Sequence, residues 1–214
     1  GKSTTLRMLT DIIAPDAGEI RFFDGTLPPG SAAAARIGYL PEERGLYPKM
    51  KVGEMVQFMA ELRGVPAGEA KRRATAWLER LGLGTWIGNK VQDLSKGMQQ
   101  KVQFATAFIH EPELVILDEP WSGLDPINAD VLRDVVLDLR RAGKTVLFST
   151  HGMEQAEQLC DQVIIIARGR KVLDSRISDL RRTADANRHV ALRFDDAAVP
   201  EAPAVSPLFC SAST

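Results

Sequence analysis

Apolar positions in this chain follow two periods, and the switch between them outlines an architecture. Leu6, Met8, Leu9, Ile12 and Ile13 recur at helical spacing directly after Gly1-Lys2-Ser3-Thr4. Asp16-Ala17-Gly18 interrupts them. Glu19-Ile20-Arg21-Phe22-Phe23 alternates, with Ile20 and Phe22 on one face, and Asp24-Gly25 follows as a turn pair, so a short strand is expected there. Ile37-Gly38-Tyr39-Leu40 predicts a second short strand ended by Pro41. From about residue 52 to 109 the spacing is helical: Met55, Val56, Met59 and Leu62, then Ala74, Trp77, Leu78 and Leu81. No strand-like run breaks this stretch, which predicts an inserted helical subdomain.

Beyond Pro112 the pattern changes. Leu114-Val115-Ile116-Leu117, Val146-Leu147-Phe148 and Val163-Ile164-Ile165-Ile166-Ala167 are continuous apolar runs of strand length. Between them lie two helical stripes, Val131 to Leu139 and Met153 to Cys160. Strands apolar on both sides and alternating with helices predict an α/β fold, a parallel sheet with both faces covered. Arg168-Gly169-Arg170 reads as a turn into Lys171-Val172-Leu173. From about residue 183 the chain is rich in Ala, Pro and Asp, with weak periodicity.

Composition narrows the function classes. The 214 residues carry 27 basic and 28 acidic side chains, a net charge of -1, so no global charge points to nucleic acid or an anionic membrane. The basic runs Lys71-Arg72-Arg73 and Arg181-Arg182 read as solvated helix faces in preference to binding patches. No apolar run approaches the roughly 18 residues of a membrane span. Cys160 and Cys210 have neither metal-type nor redox-type spacing.

Three short segments carry chemistry. Gly1-Lys2-Ser3-Thr4 matches the end of the phosphate-binding loop G-x-x-x-x-G-K-[ST]. In such a loop backbone N–H groups wrap phosphates, the lysine reaches the β- and γ-phosphates, and the serine hydroxyl ligates Mg²⁺. A chain starting inside that motif is expected to lack the earlier glycine and the strand before it, and to leave the Leu114–Leu117 strand without a partner. Leu114 to Leu117 then runs into Asp118-Glu119, an apolar strand ending in two acids. Asp118 suits Mg²⁺, directly or through water, and Glu119 suits the role of general base toward water. Ser149-Thr150-His151 follows the next apolar run. Strand C-terminal ends line ligand crevices in open α/β sheets, so His151 is expected beside Glu119.

Leu94-Ser95-Lys96-Gly97-Met98-Gln99-Gln100-Lys101 resembles the LSGGQ signature of ABC ATPases, with Ser95 standing 23 positions before Asp118. Ser122-Gly123-Leu124-Asp125-Pro126 resembles the D-loop of that family, His151 its switch histidine, and Gly38-Tyr39-Leu40-Pro41-Glu42 the segment carrying its Q-loop. The run Pro41 to Pro48 is similar to a subgroup of bacterial exporter ATPases, sodium-efflux types among them. The resemblance implies a P-loop NTPase with a RecA-like parallel sheet and an ATP-hydrolysing subunit using ATP and Mg²⁺. It also implies a head-to-tail homodimer or heterodimer, in which ATP lies between Lys2-Ser3 of one chain and Ser95-Gly97 of the other, with Asp125 linking the two sites. A separate membrane-spanning permease and a peripheral location on the cytoplasmic face follow from the same likeness, with no nucleic-acid partner. The expected ATPase domain is 1–174, with 175–214 a partial accessory segment. Three positions depart from the family pattern: Glu42 stands where glutamine is usual, Lys96 replaces a signature glycine, and Met98 replaces its glutamine. An alternative is a non-transport ABC-type ATPase acting in DNA repair or on ribosomes. The repair class inserts a long coiled coil where only 52 positions separate Glu42 from Leu94 here.

Overall fold

The computed structural model describes residues 1–23, 25, 30–43, 45–186 and 208–212. Asp24 of the expected turn, Arg44 and most of the tail after residue 186 lie outside the described residues. Eight helices are described: α1 Lys2–Leu9, α2 Ser31–Ala34, α3 Val52–Leu62, α4 Ala67–Arg80, α5 Lys96–Phe108, α6 Pro126–Arg141, α7 Met153–Leu159 and α8 Ile177–Ala186. Six strands are described: β1 Ile37–Leu40, β2 Leu114–Asp118, β3 Thr145–Ser149, β4 Gln162–Ala167, β5 Arg170–Arg176 and β6 Leu208–Ala212. They form one sheet in the order β1-β2-β3-β6-β4-β5.

β1, β2 and β3 are parallel neighbours, with Tyr39 opposite Ile116 and Asp118 opposite Ser149. β6 lies between β3 and β4 and runs antiparallel to both, and β5 closes the edge antiparallel to β4. This is the expected α/β fold with two differences. The Leu114–Leu117 strand does not lack a partner, because β1 and β3 pair with it on either side. The third apolar run, β4, is separated from β3 by β6 rather than pairing with it directly.

The apolar runs face both ways. Leu114, Ile116, Leu147, Ile164 and Ile166 pack with Leu6, Leu9, Phe22 and Ile37 on one face. Val115, Leu117, Val146, Phe148, Val163 and Ile165 join the helical cluster on the other. The period-two alternation of strand side chains makes these two separate cores. The larger one extends through α3, α4 and α5, where Phe104 and Phe108 are fully buried with ring centroids 4.4 Å apart and Trp77 stacks on Phe108 at 5.7 Å. Burying each such ring contributes about 1.5–3 kcal/mol. These three helices and two 3₁₀ turns, Gly84–Trp86 and Val91–Asp93, occupy the stretch read as helical.

One expected strand does not form. Glu19–Phe23 holds a single bridge residue, Phe22. Phe22 is buried in the smaller core, but Phe23 takes a left-handed φ of 51°, which breaks the pleat after it. Lys71, Arg72, Arg181 and Arg182 are exposed, as expected of solvated faces, whereas Arg73 is half-buried. Arg72 and Arg73 pair with Glu69 one turn away on α4, and Arg182 pairs with Asp179.

Candidate functional site

The parallel register of β2 and β3 brings their C-terminal ends together, and the acidic and hydroxyl groups meet there. Ser149 Oγ donates to Asp118 Oδ1 at 2.5 Å. Asp118 is 1% exposed and Ser149 is fully buried. The next residue leaves the strand direction abruptly: Glu119 has φ 47°, a left-handed conformation that costs a non-glycine residue on the order of 1–3 kcal/mol. Its N–H donates to Ser149 Oγ at 3.0 Å and to the Ser149 carbonyl at 3.2 Å, so β3 holds the bend in place.

The Glu119 carboxylate is thereby shared between two bases. Lys2 Nζ, at the start of α1, lies 2.5 Å from Oε1, and His151 Nδ1 lies 2.9 Å from Oε2. The Lys2 and Glu119 side chains are only 14% and 12% exposed, whereas that of His151 is 75% exposed. A pair this sheltered is screened far less than a surface ion pair, so removing either partner leaves a poorly solvated charge. His151 is aimed by the turn beneath it. Thr150 Oγ1 accepts the Gly152 N–H at 3.0 Å and donates to Gln155 Oε1 at 2.9 Å. A Cβ on Gly152 would come within 2.5 Å of Gln155 Oε1, so a larger residue there would displace the end of the Gln155 side chain that Thr150 Oγ1 contacts.

Of the remaining phosphate-loop residues, Gly1 and Thr4 are exposed and Ser3 is partly buried. The Gly1 carbonyl accepts from Thr5 through both its N–H and its hydroxyl, which starts α1. Glu42 is exposed and makes no hydrogen bond to Lys2, Glu119 or His151. Its loop is nonetheless electrostatically joined to the site through Tyr39. Burial and the Asp118 charge push the Tyr39 phenol up, the Arg7 charge and hydrogen bond oppose this, and the Glu42 charge adds a smaller upward push.

Ser95, Gly97 and Asp125 form a second group. Ser95 caps α5, its Oγ accepting from Met98 N at 3.3 Å. Asp125 caps α6, accepting from Asn128 N at 3.1 Å and Asn128 Nδ2 at 2.5 Å, and these bonds hold its carboxyl below the usual range. The two caps touch. A Cβ on Gly97 would lie 3.2 Å from Asn128 Nδ2, so glycine lets the start of α5 rest against the start of α6. Nearby Lys101 is 8% exposed, and burial pushes its amine down while the Asp125 charge pulls it back up. Among the described residues no hydrogen bond or ion pair joins Ser95, Gly97 or Asp125 to Lys2, Glu119 or His151.

The donor set suits magnesium phosphate chemistry. Among the described residues no three His, Cys, Asp or Glu side chains form a metal cage. Mg²⁺ ordinarily takes one or two protein oxygens and fills the rest of its shell with water and phosphate. Asp118 and the Ser3 hydroxyl are hard oxygen ligands of that kind, and a helix N-terminus beside Lys2 favours an anion.

A family model described as "ABC transporter" matches residues 1–122. The chain belongs to the ABC transporter ATP-binding family. It is 41% identical over 196 residues to the uncharacterised ABC transporter ATP-binding protein YhaQ of Bacillus subtilis, covering 92% of this chain and 65% of that protein. It is 36% identical to the Nod factor export ATP-binding protein I of Ralstonia nicotianae, covering 84% of this chain and 56% of that one. The chain thus spans about two thirds or less of the length of these two relatives. A solved structure titled "Structure of ATP binding subunit of ABC transporter" superposes with a TM-score of 0.78 at 30% identity, over 88% of this chain and 79% of that chain. The ABC fold and ATP-binding character follow from these likenesses.

Several residues of this ABC site were not singled out by sequence reasoning. Ser149 and Thr150 were quoted only as neighbours of His151, yet Ser149 holds both Asp118 and the Glu119 backbone. Gln103 is a buried polar residue on α5 with no role suggested by any motif. Its one visible signal was a polar side chain between Val102 and Phe104, two residues that the fold buries completely.

Proposed function

We propose that this chain hydrolyses ATP and thereby drives a membrane-spanning permease, with Glu119 as general base. One observation carries the proposal: the Glu119 carboxylate, one residue beyond the buried Asp118, bridges Lys2 and His151. ATP supplies the phosphoryl group; Ser3 and Asp118 would hold Mg²⁺, which would supply positive charge to the phosphates. Lys2 turns from Glu119 toward the β- and γ-phosphates. That movement releases Oε1, which accepts the proton of the attacking water, while the His151 ring keeps Oε2 in place. The left-handed backbone at Glu119 keeps the carboxylate at the crevice instead of in the sheet.

The second group fits the head-to-tail arrangement. Ser95 and Gly97 open α5 with N–H groups that favour an anion, and they meet no nucleotide residue of their own chain. A second subunit, identical or related, completes each site with its own Ser95 and Gly97, and Asp125 lies at the junction. Residues 1–174 carry the nucleotide motifs, with 52–109 as the helical part; the expected boundary at 174 does not separate an accessory segment, because β5 runs to Arg176 and β6 lies inside the sheet between β3 and β4. Tyr47 and Phe58 are exposed, their rings in edge contact at 6.1 Å, and Leu62 is exposed on the same helix as Phe58. This apolar patch beside the Glu42 loop is the docking surface for the permease. No described helix is long and apolar enough to cross a membrane; a peripheral position at the cytoplasmic face follows from the family reading alone. The direction is export, in keeping with the Pro41–Pro48 run and the Nod factor export relative.

The test is Glu119→Gln in the full-length parent protein. Loss of the base lowers turnover by about 10²–10⁴-fold with ATP binding retained. Near-normal phosphate release from that variant would refute the assignment.

A further inference from the structure

We infer that Gln103, outside every nucleotide motif, is a positioning residue that sets the height of the Glu42 loop and couples it to the helix carrying Ser95. The inference rests on the ATPase reading above. Gln103 lies on α5 and is 4% exposed. Its Nε2 donates to the Pro41 carbonyl at 3.2 Å and to the Glu43 carbonyl at 3.0 Å. One amide therefore grips the backbone on both sides of Glu42. The orientation is fixed by chemistry, since two carbonyls demand the nitrogen and would repel Oε1.

Packing alone does not explain this side chain. Gln103 Oε1 is buried with no donor among the described residues. An unsatisfied buried acceptor is a cost that leucine, of similar size, would avoid. The neighbours Val102 and Phe104 show that this stretch of α5 is otherwise apolar and fully buried. The polar residue is kept where it is unfavourable, and its two donated bonds are what it contributes.

The same helix is tied to the other loops of the site. Gln99 Nε2 donates to the Leu94 carbonyl at 3.0 Å, holding the turn before Ser95. Gln100 Nε2 reaches the Pro120 carbonyl at 3.4 Å, directly after Glu119. Within two turns, α5 grips the approach to Ser95, the exit from Glu119 and both flanks of Glu42 by glutamine amides. The helix is packed rigidly by Phe104 and Phe108, so a displacement of the 41–43 segment is carried along it instead of being absorbed locally. Gln103 is the joint at which that loop meets the helix.

The experiment is a double-mutant cycle in the full-length protein, reading kcat and KM for ATP hydrolysis and the thermal midpoint. The variants are Gln103→Leu, Glu42→Ala and both together, with Gln103→Met as a second probe that keeps length but removes the donor. Losing two neutral hydrogen bonds that act through the position of Glu42 should lower kcat about tenfold, with KM for ATP changed less than about twofold. In the Glu42→Ala background the Gln103→Leu effect on kcat should largely vanish, because the residue it positions is gone. Gln103→Met should reproduce the kcat loss. Independent, multiplying effects of the two substitutions would overturn the inference. So would a loss explained by a lowered thermal midpoint, or a Glu42→Ala variant with unchanged kcat. The Glu119→Gln control separates the two readings. If that variant still turns over, the assignment of Glu119 as general base has failed; if it is silent and the cycle is additive, only the role of Gln103 has failed.

Discussion

Gly38→Ala is expected to cost far more than one methyl group ordinarily would. Gly38 lies in β1 where α5 crosses the sheet. A Cβ built there stands 2.1 Å from the Ala107 carbonyl oxygen and 2.9 Å from Pro112 Cγ. An ordinary contact of this kind is near 3.3 Å, so the helix backbone has to retreat by about 1.2 Å, or β1 has to buckle. Neither yields easily, because the helix is locked by Phe104 and Phe108 and the strand by its pairing with β2. Overpacking a well-packed core costs about 1–3 kcal/mol, and a clash with backbone belongs at or above the top of that range. For a chain of this size each kcal/mol lowers the thermal midpoint by about 2–4 °C, so a fall of roughly 6–12 °C is expected. Differential scanning calorimetry of the full-length protein measures it, with Gly68→Ala as the control. Gly68 lies in α4, has nothing within 4 Å of a built Cβ and takes no left-handed φ, so alanine there should stabilise by about 0.5–1 kcal/mol. A Gly38→Ala midpoint within 3 °C of the parent would refute the close approach of α5 to β1. The same substitution displaces α5 against the Glu42 loop, so turnover should fall with stability.

If the proposed head-to-tail arrangement holds, Ser95→Arg should leave ATP binding to the isolated subunit within about twofold while abolishing the ATP-dependent doubling of mass expected by light scattering in a Glu119→Gln background; an undiminished dimer would contradict that arrangement. His110 should make the protein acid-sensitive. Burial first, then the Arg63 charge, lowers its pKa to about 4 against an ordinary 6.5, with the Ile37 carbonyl opposing and the Arg73 charge adding a smaller downward push. The folded chain therefore holds His110 neutral while the unfolded chain binds a proton. Stability from this residue is full above pH 6.5 and drains as pH falls from 6.5 toward 4, by about 1–2 kcal/mol after discounting for its partial exposure. Urea titrations at pH 7 and pH 4.5 should show that slope, and His110→Gln should flatten it; an unchanged slope would mean the imidazole is not held neutral.

Much of the α/β order was legible because strand and helix periods differ and the strands are short apolar runs. The fully buried strands announced a two-faced sheet, and Phe148, Val146, Val115 and Leu117 do segregate from Ile116, Leu147 and Ile164. The expected strand at Glu19–Phe23 failed because alternation says nothing about φ, and a left-handed Phe23 ends the run. The neighbours of β4 were also beyond reach. Register and adjacency depend on which distant strand finds which edge, and β6 comes from a tail whose pattern is weak.

The candidate site divides along the same line. Residue type and spacing named Lys2, Asp118, Glu119 and His151, because each follows a local signal: a glycine-led helix start, or the polar end of an apolar strand. What the sequence could not specify is that Glu119 bends into left-handed backbone and hangs between Lys2 and His151, for that depends on Ser149 lying opposite Asp118 in the parallel register. Nor could it show that Gln103, 60 positions from Glu43, grips the loop around Glu42. Local pattern fixes what a residue is able to do within its own turn or strand. Which charges share an oxygen, and which helix holds which loop, are set only when distant segments pack, since hydrogen bonds and ion pairs act over a few ångströms and take no account of separation along the chain.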